Sequence, residues 1–322
     1  QAKRGNICVY AAIGKKKLDV KKIEEFFANN GVLDKMVIVA SGSEDAIGVI
    51  YLTPYTAMTI SEYFRDEGKD VLLVLDDLSS HAKFYREISL LGRRFPGRNS
   101  YPSDIFYTHA KLMERAGNFI TDKGEASITC LTVAETSQGD LSGYIETNLM
   151  SMTDGHLYFD KDLFYLGRRP AINPFLSVTR VGRQTQTNLR REVSREIMSF
   201  LNLYQKMQSF IHFGAELNEN VKATIATGEM IIHFFTQAPA EVVPINLQII
   251  AFSMLWANLW ERKDTAVIRK QLHQILEAYS SDKKIRERID KLAEIDSFNK
   301  LLGVLKVEGP KIIKIVSQKY GN

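Results

Sequence analysis

The stretch Val71-Leu72-Leu73-Val74-Leu75-Asp76-Asp77 is a continuous apolar run that ends in two carboxylates. Two further apolar runs, residues 7–13 and 36–40, precede it, and amphipathic segments separate all three. Runs that are apolar on both faces and alternate with helices are typical of parallel strands in an α/β sheet. The sequence therefore predicts a mostly parallel sheet with helices packed against it.

The pattern changes near residue 190, where helical spacing takes over. Four helical segments follow, at 189–213, 221–235, 244–264 and 265–280. We therefore predict an α/β domain at 1–190 and an all-helical domain at 191–322. A chain of 322 residues agrees with two domains of ~100–200 residues each.

Composition excludes several classes of protein. The chain carries 42 Lys+Arg against 38 Asp+Glu, a net charge of +4, and its basic residues are dispersed among acids, so no nucleic-acid partner is expected. Cys8 and Cys130 are too few for a disulfide framework, which favours a reducing compartment. The uncharged stretch Val242–Trp260 contains several polar residues and Pro244, so we predict a buried helix that begins near Pro244 rather than a membrane span.

Asp76 and Asp77 follow a strand, and two interpretations of them stay open. Ligands bind beyond the carboxyl ends of strands in open α/β sheets, where an acid can hold Mg²⁺ through water beside a phosphate. Alternatively, one of the two carboxylates caps the next helix. The choice between these interpretations needs the surrounding residues.

Two arginine-containing segments are candidates for contact with charged groups. Three arginines surround the Pro-Gly turn of Leu90–Arg98, which suits an interface or phosphate loop, although solvated side chains would give the same pattern. Arg180 lies between a β-branched run and Gly182, at the expected end of a strand. An arginine held there can stabilise a transferring phosphoryl group on a neighbouring subunit, or it can make a structural ion pair.

Two common kinds of site are missing from these residues. The 322 residues contain no GxxxxGK[ST] phosphate-binding sequence, and the six histidines show no metal-ligand spacing. Each histidine is interpreted as a surface residue or a hydrogen-bonded core residue.

The same motifs carry a family resemblance. The chain resembles the alpha subunit of F-type ATP synthase, strongly from Asn6 to about residue 214 and more weakly beyond. The matching segments are Asp76-Asp77-Leu78-Ser79, Leu90–Arg98, Tyr101–Tyr107, Leu112–Ala116, Glu135-Thr136 with Gly139-Asp140, Thr153-Asp154-Gly155, Arg169–Asn173 and Ser177–Gly182.

The resemblance implies a RecA-like P-loop NTPase core that is incomplete at its N-terminus, followed by the helical domain. The family's N-terminal barrel and P-loop would precede Gln1, so we expect the chain to begin after them. Alpha subunits alternate with beta subunits in a hexamer around the gamma subunit, and a contact with the delta subunit is also open. The implied location is a peripheral complex on the cytoplasmic face of the bacterial inner membrane, or its mitochondrial or plastid equivalent, with membrane contact only through the rest of the complex.

The resemblance also assigns roles to residues. Alpha subunits bind Mg-ATP or Mg-ADP without turnover at a non-catalytic site, which needs the P-loop that is expected before Gln1. They take part in ATP synthesis coupled to proton transport. By matching position, Arg180 is the arginine lent to the adjacent beta-subunit catalytic site, and Asp76 holds Mg²⁺ through water. Arg169, Pro170 and Gln237 line the adenine pocket of the non-catalytic site.

Two departures from the family pattern bear on these roles. Lys15 stands where beta subunits have a glutamate and alpha subunits a glutamine, and a protonated lysine cannot act as the general base. Pro239 replaces a second glutamine near Gln237, which weakens the case for adenine recognition. Because these residues include neither the P-loop nor the catalytic glutamate, we expect the isolated chain to be inactive.

Two alternative functions remain beside the leading one. A divergent paralogue with a purely structural role in a ring is the first, motivated by Lys15 and Pro239. A Rho-like helicase fragment is the second, but no aromatic-basic cluster supports it.

Overall fold

The computed structural model describes residues 1–212, 219–238, 241–260 and 265–320. It divides into two compact units, residues 1–156 and 157–322. Residues 157–190, which the sequence assigns to the first domain, belong by their contacts to the second unit. The domain boundary at 190 itself stays a prediction. The departure at Pro239 lies outside the described residues.

The first unit is an α/β structure built on one five-stranded sheet. Its strand order is β2-β1-β3-β5-β4, in which β1, β2, β3 and β5 are parallel and β4 is antiparallel to β5. The elements are β1 (Ile7–Lys15), α1 (Lys17–Asn29), β2 (Met36–Gly42), α2 (Ile47–Asp66), β3 (Val71–Asp76), α3 (Leu78–Leu91), α4 (Ile105–Met113), β4 (Gly117–Thr121), β5 (Gly124–Thr132), α5 (Tyr144–Met152) and β6 (Gly155–His156).

The three apolar runs of the sequence form the centre and one side of this sheet. Val9 of β1 and Leu73 of β3 are paired in register, and both are fully buried. The hairpin of β4 and β5 was not among the predicted strands. Its residues include Gly117, Gly124 and several polar side chains, so it lacks the continuous apolar run that marks the others.

The second unit is mainly helical. Its elements are α6 (Lys161–Tyr165), β7 (Val178–Thr179), α7 (Asn188–His212), α8 (Glu219–Phe234), α9 (Ile245–Trp256), α10 (Thr265–Ser281), α11 (Lys283–Ala293) and α12 (Phe298–Tyr320). Side chains of α7 to α12 form one hydrophobic core, with Leu189, Ile231, Phe252 and Leu301 each at most 1% exposed. The mostly parallel sheet and the following helical unit confirm the predicted fold class.

Helix α9 confirms the prediction of a buried helix beginning near Pro244. Pro244 is the N-cap residue of α9, and eight of the twelve helical residues are buried. The helix ends at Trp256, earlier than expected, and Asn258 two residues later has φ of +56°. Among the residues that the structure describes, no helix is long and apolar enough to cross a membrane.

Candidate functional site

The carboxyl ends of the parallel strands bring polar residues to one edge of the sheet. β1 ends at Lys15 and β3 ends at Asp76, and these strands are direct neighbours in the sheet. Gly14, just before Lys15, has φ of +62°, and a Cβ atom there would lie 2.5 Å from the Phe84 ring. Because L-residues avoid this left-handed region, glycine permits the turn of the backbone that precedes Lys15.

Lys15 is paired with both carboxylates at this edge. Its Nζ atom lies 2.8 Å from Asp76 Oδ1 and 2.9 Å from Asp77 Oδ2. The side chains of Lys15 and Asp76 are about one quarter and one fifth exposed, at 25% and 21%, whereas that of Asp77 is only 2% exposed. The Tyr10 hydroxyl donates to Asp76 Oδ2. We call these four residues the lysine-carboxylate cluster.

The charge states in this cluster follow from its contacts. Burial lowers the pKa of Lys15, but its hydrogen bonds to Asp76 and Asp77 outweigh this effect, so the pKa is raised overall. Burial, together with the hydrogen bond to Asp76, also raises the pKa of Tyr10. The amine therefore stays charged, and the tyrosine stays a hydrogen-bond donor, at neutral pH.

Asp77 is the N-cap residue of α3. Its Oδ1 accepts from the backbone N–H of Ser80 at 2.6 Å, and its Oδ2 accepts from the Ser80 hydroxyl at 3.0 Å. An N-cap carboxylate satisfies an otherwise unpaired helical N–H and interacts favourably with the helix dipole. The capping interpretation of the strand-end acids is thus confirmed for Asp77.

The donors around Asp76 do not fit the predicted magnesium role. Asp76 Oδ1 faces an ammonium and its Oδ2 accepts from a hydroxyl, while both oxygens of Asp77 are also engaged by donors. A hard divalent cation needs several oxygen ligands and is repelled by a neighbouring positive charge. Within the described residues, no group of three or more His, Cys, Asp or Glu side chains could hold a metal ion. The magnesium role stays a prediction that these contacts do not favour.

The three residues predicted to line an adenine pocket lie together in the second unit. The backbone N–H of Gln237 donates to the carbonyl oxygen of Arg169 at 2.8 Å, and Pro170 follows Arg169 through a cis peptide bond. The Arg169 guanidinium lies 3.6 Å from the centre of the Phe164 ring, and its Nη1 donates to the carbonyl oxygens of Phe164 and Arg168. The structure thus brings the segments of these three residues together, while nucleotide binding by them stays a prediction.

Arg180 lies directly after β7 and is exposed at the surface of the second unit. Two residues later, Gly182 has φ of +71°, and its N–H donates to Thr179 Oγ1 at 3.3 Å. This short turn positions the backbone that carries Arg180. A role of Arg180 toward another subunit stays a prediction.

Two arginines of the loop Leu90–Arg98 contact side chains of the first unit. Arg98 lies over the Tyr144 ring, 5.5 Å from its centre, and Arg94 lies 3.6 Å from Asp104. Phe95 is 96% exposed at the tip of this loop. An interface role for the loop stays a prediction.

Two of the six histidines form a buried pair that the sequence did not reveal. His81 Nδ1 lies 3.1 Å from His109 Nε2, and His81 Nε2 lies 3.0 Å from the Tyr51 carbonyl oxygen. A carbonyl can only accept, so His81 carries its proton on Nε2 and accepts at Nδ1 from the His109 N–H. These two are hydrogen-bonded core histidines, as the sequence interpretation allowed.

Comparison with known proteins identifies the family to which a chain with an α/β unit and a helical unit of this sequence belongs. The model of the "ATP synthase alpha/beta family, nucleotide-binding domain" matches residues 1–179, and that of the "ATP synthase alpha/beta chain, C terminal domain" matches residues 186–303. The chain therefore belongs to the ATP synthase alpha/beta family. This finding confirms the resemblance read from the sequence.

Individual relatives that are similar to this chain carry the name ATP synthase subunit alpha. The protein of Helicobacter pylori strain G27 is 39% identical over 278 residues, which are 84% of this chain and 55% of the relative. That of Acholeplasma laidlawii is 39% identical over 286 residues, 88% of this chain and 57% of the relative. That of Rickettsia bellii is 38% identical over 291 residues, 87% and 57% respectively. The chain thus spans little more than half the length of these relatives.

Proposed function

We propose that this chain serves as an alpha-type, regulatory subunit of a rotary F-type ATP synthase. The observation that carries the proposal is the match of both family domains, in order, together with similarity to proteins named ATP synthase subunit alpha. The proposed subunit does not itself turn over ATP, because Lys15 stands at the position of the general base and is paired with two carboxylates.

The proposed ligand is an adenine nucleotide, Mg-ATP or Mg-ADP in solution. Membership in a family with a nucleotide-binding domain supports this choice. Arg169, Pro170 and Gln237 would contact the base, since the hydrogen bond between Gln237 and Arg169 brings their segments together. No step through a metal ion is assigned to Asp76, since its oxygens are engaged by Lys15 and Tyr10.

Arg180 is proposed to act on the active site of a neighbouring beta subunit. Arg180 is an exposed residue directly after β7, where a short turn holds the backbone. A planar cation held in this way can form paired hydrogen bonds to the phosphoryl oxygens as negative charge develops on them.

The remaining proposed partners are the gamma subunit and, as a further contact, the delta subunit. The assembly would be an alternating alpha/beta hexamer attached to a membrane only through the rest of the complex, on the cytoplasmic side in a bacterium.

The test is hydrolysis by the assembled complex that contains Arg180→Ala. Loss of an arginine finger lowers turnover by ~10³–10⁵, so we expect a fall of that order with assembly unchanged. Arg183→Ala is the matched control, because Arg183 is another exposed arginine in the same turn. Hydrolysis by the Arg180 variant at the wild-type rate would refute the proposed role of this residue.

A second candidate is a paralogue with a purely structural role in the ring. The pairing of Lys15 with Asp76 and Asp77 favours it, because that pairing occupies the acids expected at a phosphate site. The two candidates differ in two measurements. A structural paralogue would bind no nucleotide, and its Arg180→Ala variant would leave hydrolysis by the complex unchanged.

A further inference from the structure

All four carboxylate oxygens at the end of β3 are engaged by donors from this chain. Asp76 Oδ1 faces Lys15 Nζ at 2.8 Å, and Asp76 Oδ2 accepts from the Tyr10 hydroxyl. Asp77 Oδ1 accepts from the Ser80 N–H at 2.6 Å, and Asp77 Oδ2 accepts from Lys15 at 2.9 Å and from the Ser80 hydroxyl at 3.0 Å. The chain itself thus supplies the positive charge that two neighbouring carboxylates require.

The ammonium lies between the two acids rather than beside one of them. Its distances to Asp76 and Asp77 differ by only 0.1 Å, since they are 2.8 and 2.9 Å. A divalent cation bound through either carboxylate would come within a few ångströms of this charge, where repulsion is strong in a partly buried site. Lysine is also tied to the edge covalently, whereas a metal ion must be taken up from solution.

Lys15 reaches this place because of local backbone geometry. Gly14 takes a left-handed conformation, and its N–H donates to Ser41 Oγ at 3.1 Å. The Lys15 carbonyl oxygen accepts from the Ser43 N–H at 3.1 Å, so the backbone of Lys15 is joined to the residue that directly follows β2. The backbone of Lys15 is therefore held by the sheet, and its ammonium is held by the two carboxylates.

We propose that the Lys15 ammonium replaces the divalent cation at the carboxyl edge of β3, so that this chain holds nucleotide phosphates at this edge without a metal ion bound through Asp76. The proposal rests on the proposed nucleotide-binding function. An ammonium has three N–H donors. Two serve the carboxylates, and the third is directed in this proposal to a phosphate oxygen. The site then selects the metal-free nucleotide or shows no preference for the magnesium complex.

The first experiment measures metal binding directly, without nucleotide. Mn²⁺, which gives an electron paramagnetic resonance signal when free, is titrated into the full chain as wild type and as Lys15→Gln. We expect Mn²⁺ to bind at least ~10-fold more weakly to the wild type than to Lys15→Gln, because the variant lacks a positive charge beside two carboxylates. The added Asp76→Asn change should abolish the gain. A failure of Lys15→Gln to gain Mn²⁺ overturns the proposal.

This experiment has one control variant and one alternative comparison. Lys17→Gln is the matched variant, since Lys17 is exposed and pairs with Glu44 at 3.3 Å, and it should bind no more Mn²⁺ than the wild type. If Lys15→Gln does not fold, the wild type and Asp76→Asn decide the question alone. Mn²⁺ bound by the wild type and lost in Asp76→Asn would contradict the proposal, and no bound Mn²⁺ in either would support it.

The second experiment measures binding of a fluorescent ATP analogue with Mg²⁺ and with EDTA. Wild-type affinity should be equal in both or higher in EDTA, whereas Lys15→Gln should bind more tightly when Mg²⁺ is present. Tighter binding by the wild type in Mg²⁺ than in EDTA would overturn the proposal. If no variant binds the analogue under either condition, phosphate binding by these residues at the edge of β3 is refuted, while the Mn²⁺ titration still decides whether Lys15 excludes the cation.

Discussion

The backbone N–H of Gln237 donates to the carbonyl oxygen of Arg169 at 2.8 Å, which joins the segment after α8 to the turn at Pro170. This bond uses the main chain of Gln237 and leaves its half-buried side chain for another contact. The two parts of Gln237 can therefore be tested separately.

Gln237→Ala and Gln237→Pro should affect different properties. Alanine keeps the N–H, so we expect the free energy of unfolding to change by less than ~0.5 kcal/mol, while loss of one side-chain hydrogen bond to adenine would weaken nucleotide binding ~10-fold. Proline has no N–H and should cost at least ~1 kcal/mol of stability. Urea unfolding and nucleotide titration measure the two effects. Unchanged nucleotide affinity in Gln237→Ala would remove the side chain from the predicted pocket.

The buried histidine pair predicts a loss of stability in mild acid. Burial lowers the pKa of His81 to about 4 and that of His109 to about 3, the latter also because a protonated His81 would repel a second charge. The unfolded chain takes up these protons below pH ~6.5, whereas the folded chain does not. The contribution of the neutral histidines to the free energy of unfolding is therefore fully present above pH ~6.5. It is lost as the pH falls toward the folded pKa values, by about 2 kcal/mol for each histidine at pH 5.

His109→Gln isolates one of these contributions. The glutamine amide can still donate to His81 Nδ1 but cannot titrate. Urea unfolding at pH 7 and pH 5 should show a loss of stability that is smaller by about 2 kcal/mol than in the wild type. His273→Gln is the matched control, because His273 is exposed in α10. An equal loss in the wild type and in His109→Gln would contradict the neutral, buried pair.

Two helical glycines should respond in opposite directions to alanine. A Cβ atom on Gly228 of α8 would lie 2.1 Å from the buried Tyr204 ring, whereas one on Gly303 of α12 would meet no atom within 4 Å. Gly228→Ala should therefore cost ~1–3 kcal/mol through overpacking. Gly303→Ala should gain up to ~1 kcal/mol from helix propensity. Urea midpoints measure both, and equal shifts in one direction would refute the assigned packing.

The fold was largely predictable because its central strands carry a plain signal. The run of β3 is apolar at every position from Val71 to Leu75. Such a run is typical of a strand that is covered on both faces of the sheet. The hairpin of β4 and β5 gave no such signal, because one strand lies at the sheet edge and Ile120 there is 94% exposed. Edge strands need fewer apolar residues, so their sequence resembles that of a loop.

The candidate site was predictable in part. Asp76 is recognisable in the sequence because it ends an apolar run, and Lys15 because it departs from the family pattern. Their pairing was not predicted, because 61 positions separate Lys15 from Asp76 in the chain and only the alignment of β1 beside β3 brings them together. The hydrogen bond between Gln237 and Arg169 likewise depends on tertiary packing.

Asp77 caps α3 and also shares Lys15 with Asp76, and this double use constrains the order in which the site can change during evolution. A lineage that loses Asp76 first keeps an intact ion pair between Lys15 and Asp77. A lineage that loses Lys15 first keeps two adjacent carboxylates without their common counterion. The same pair of substitutions is therefore tolerated more easily in one sequence of events than in the other.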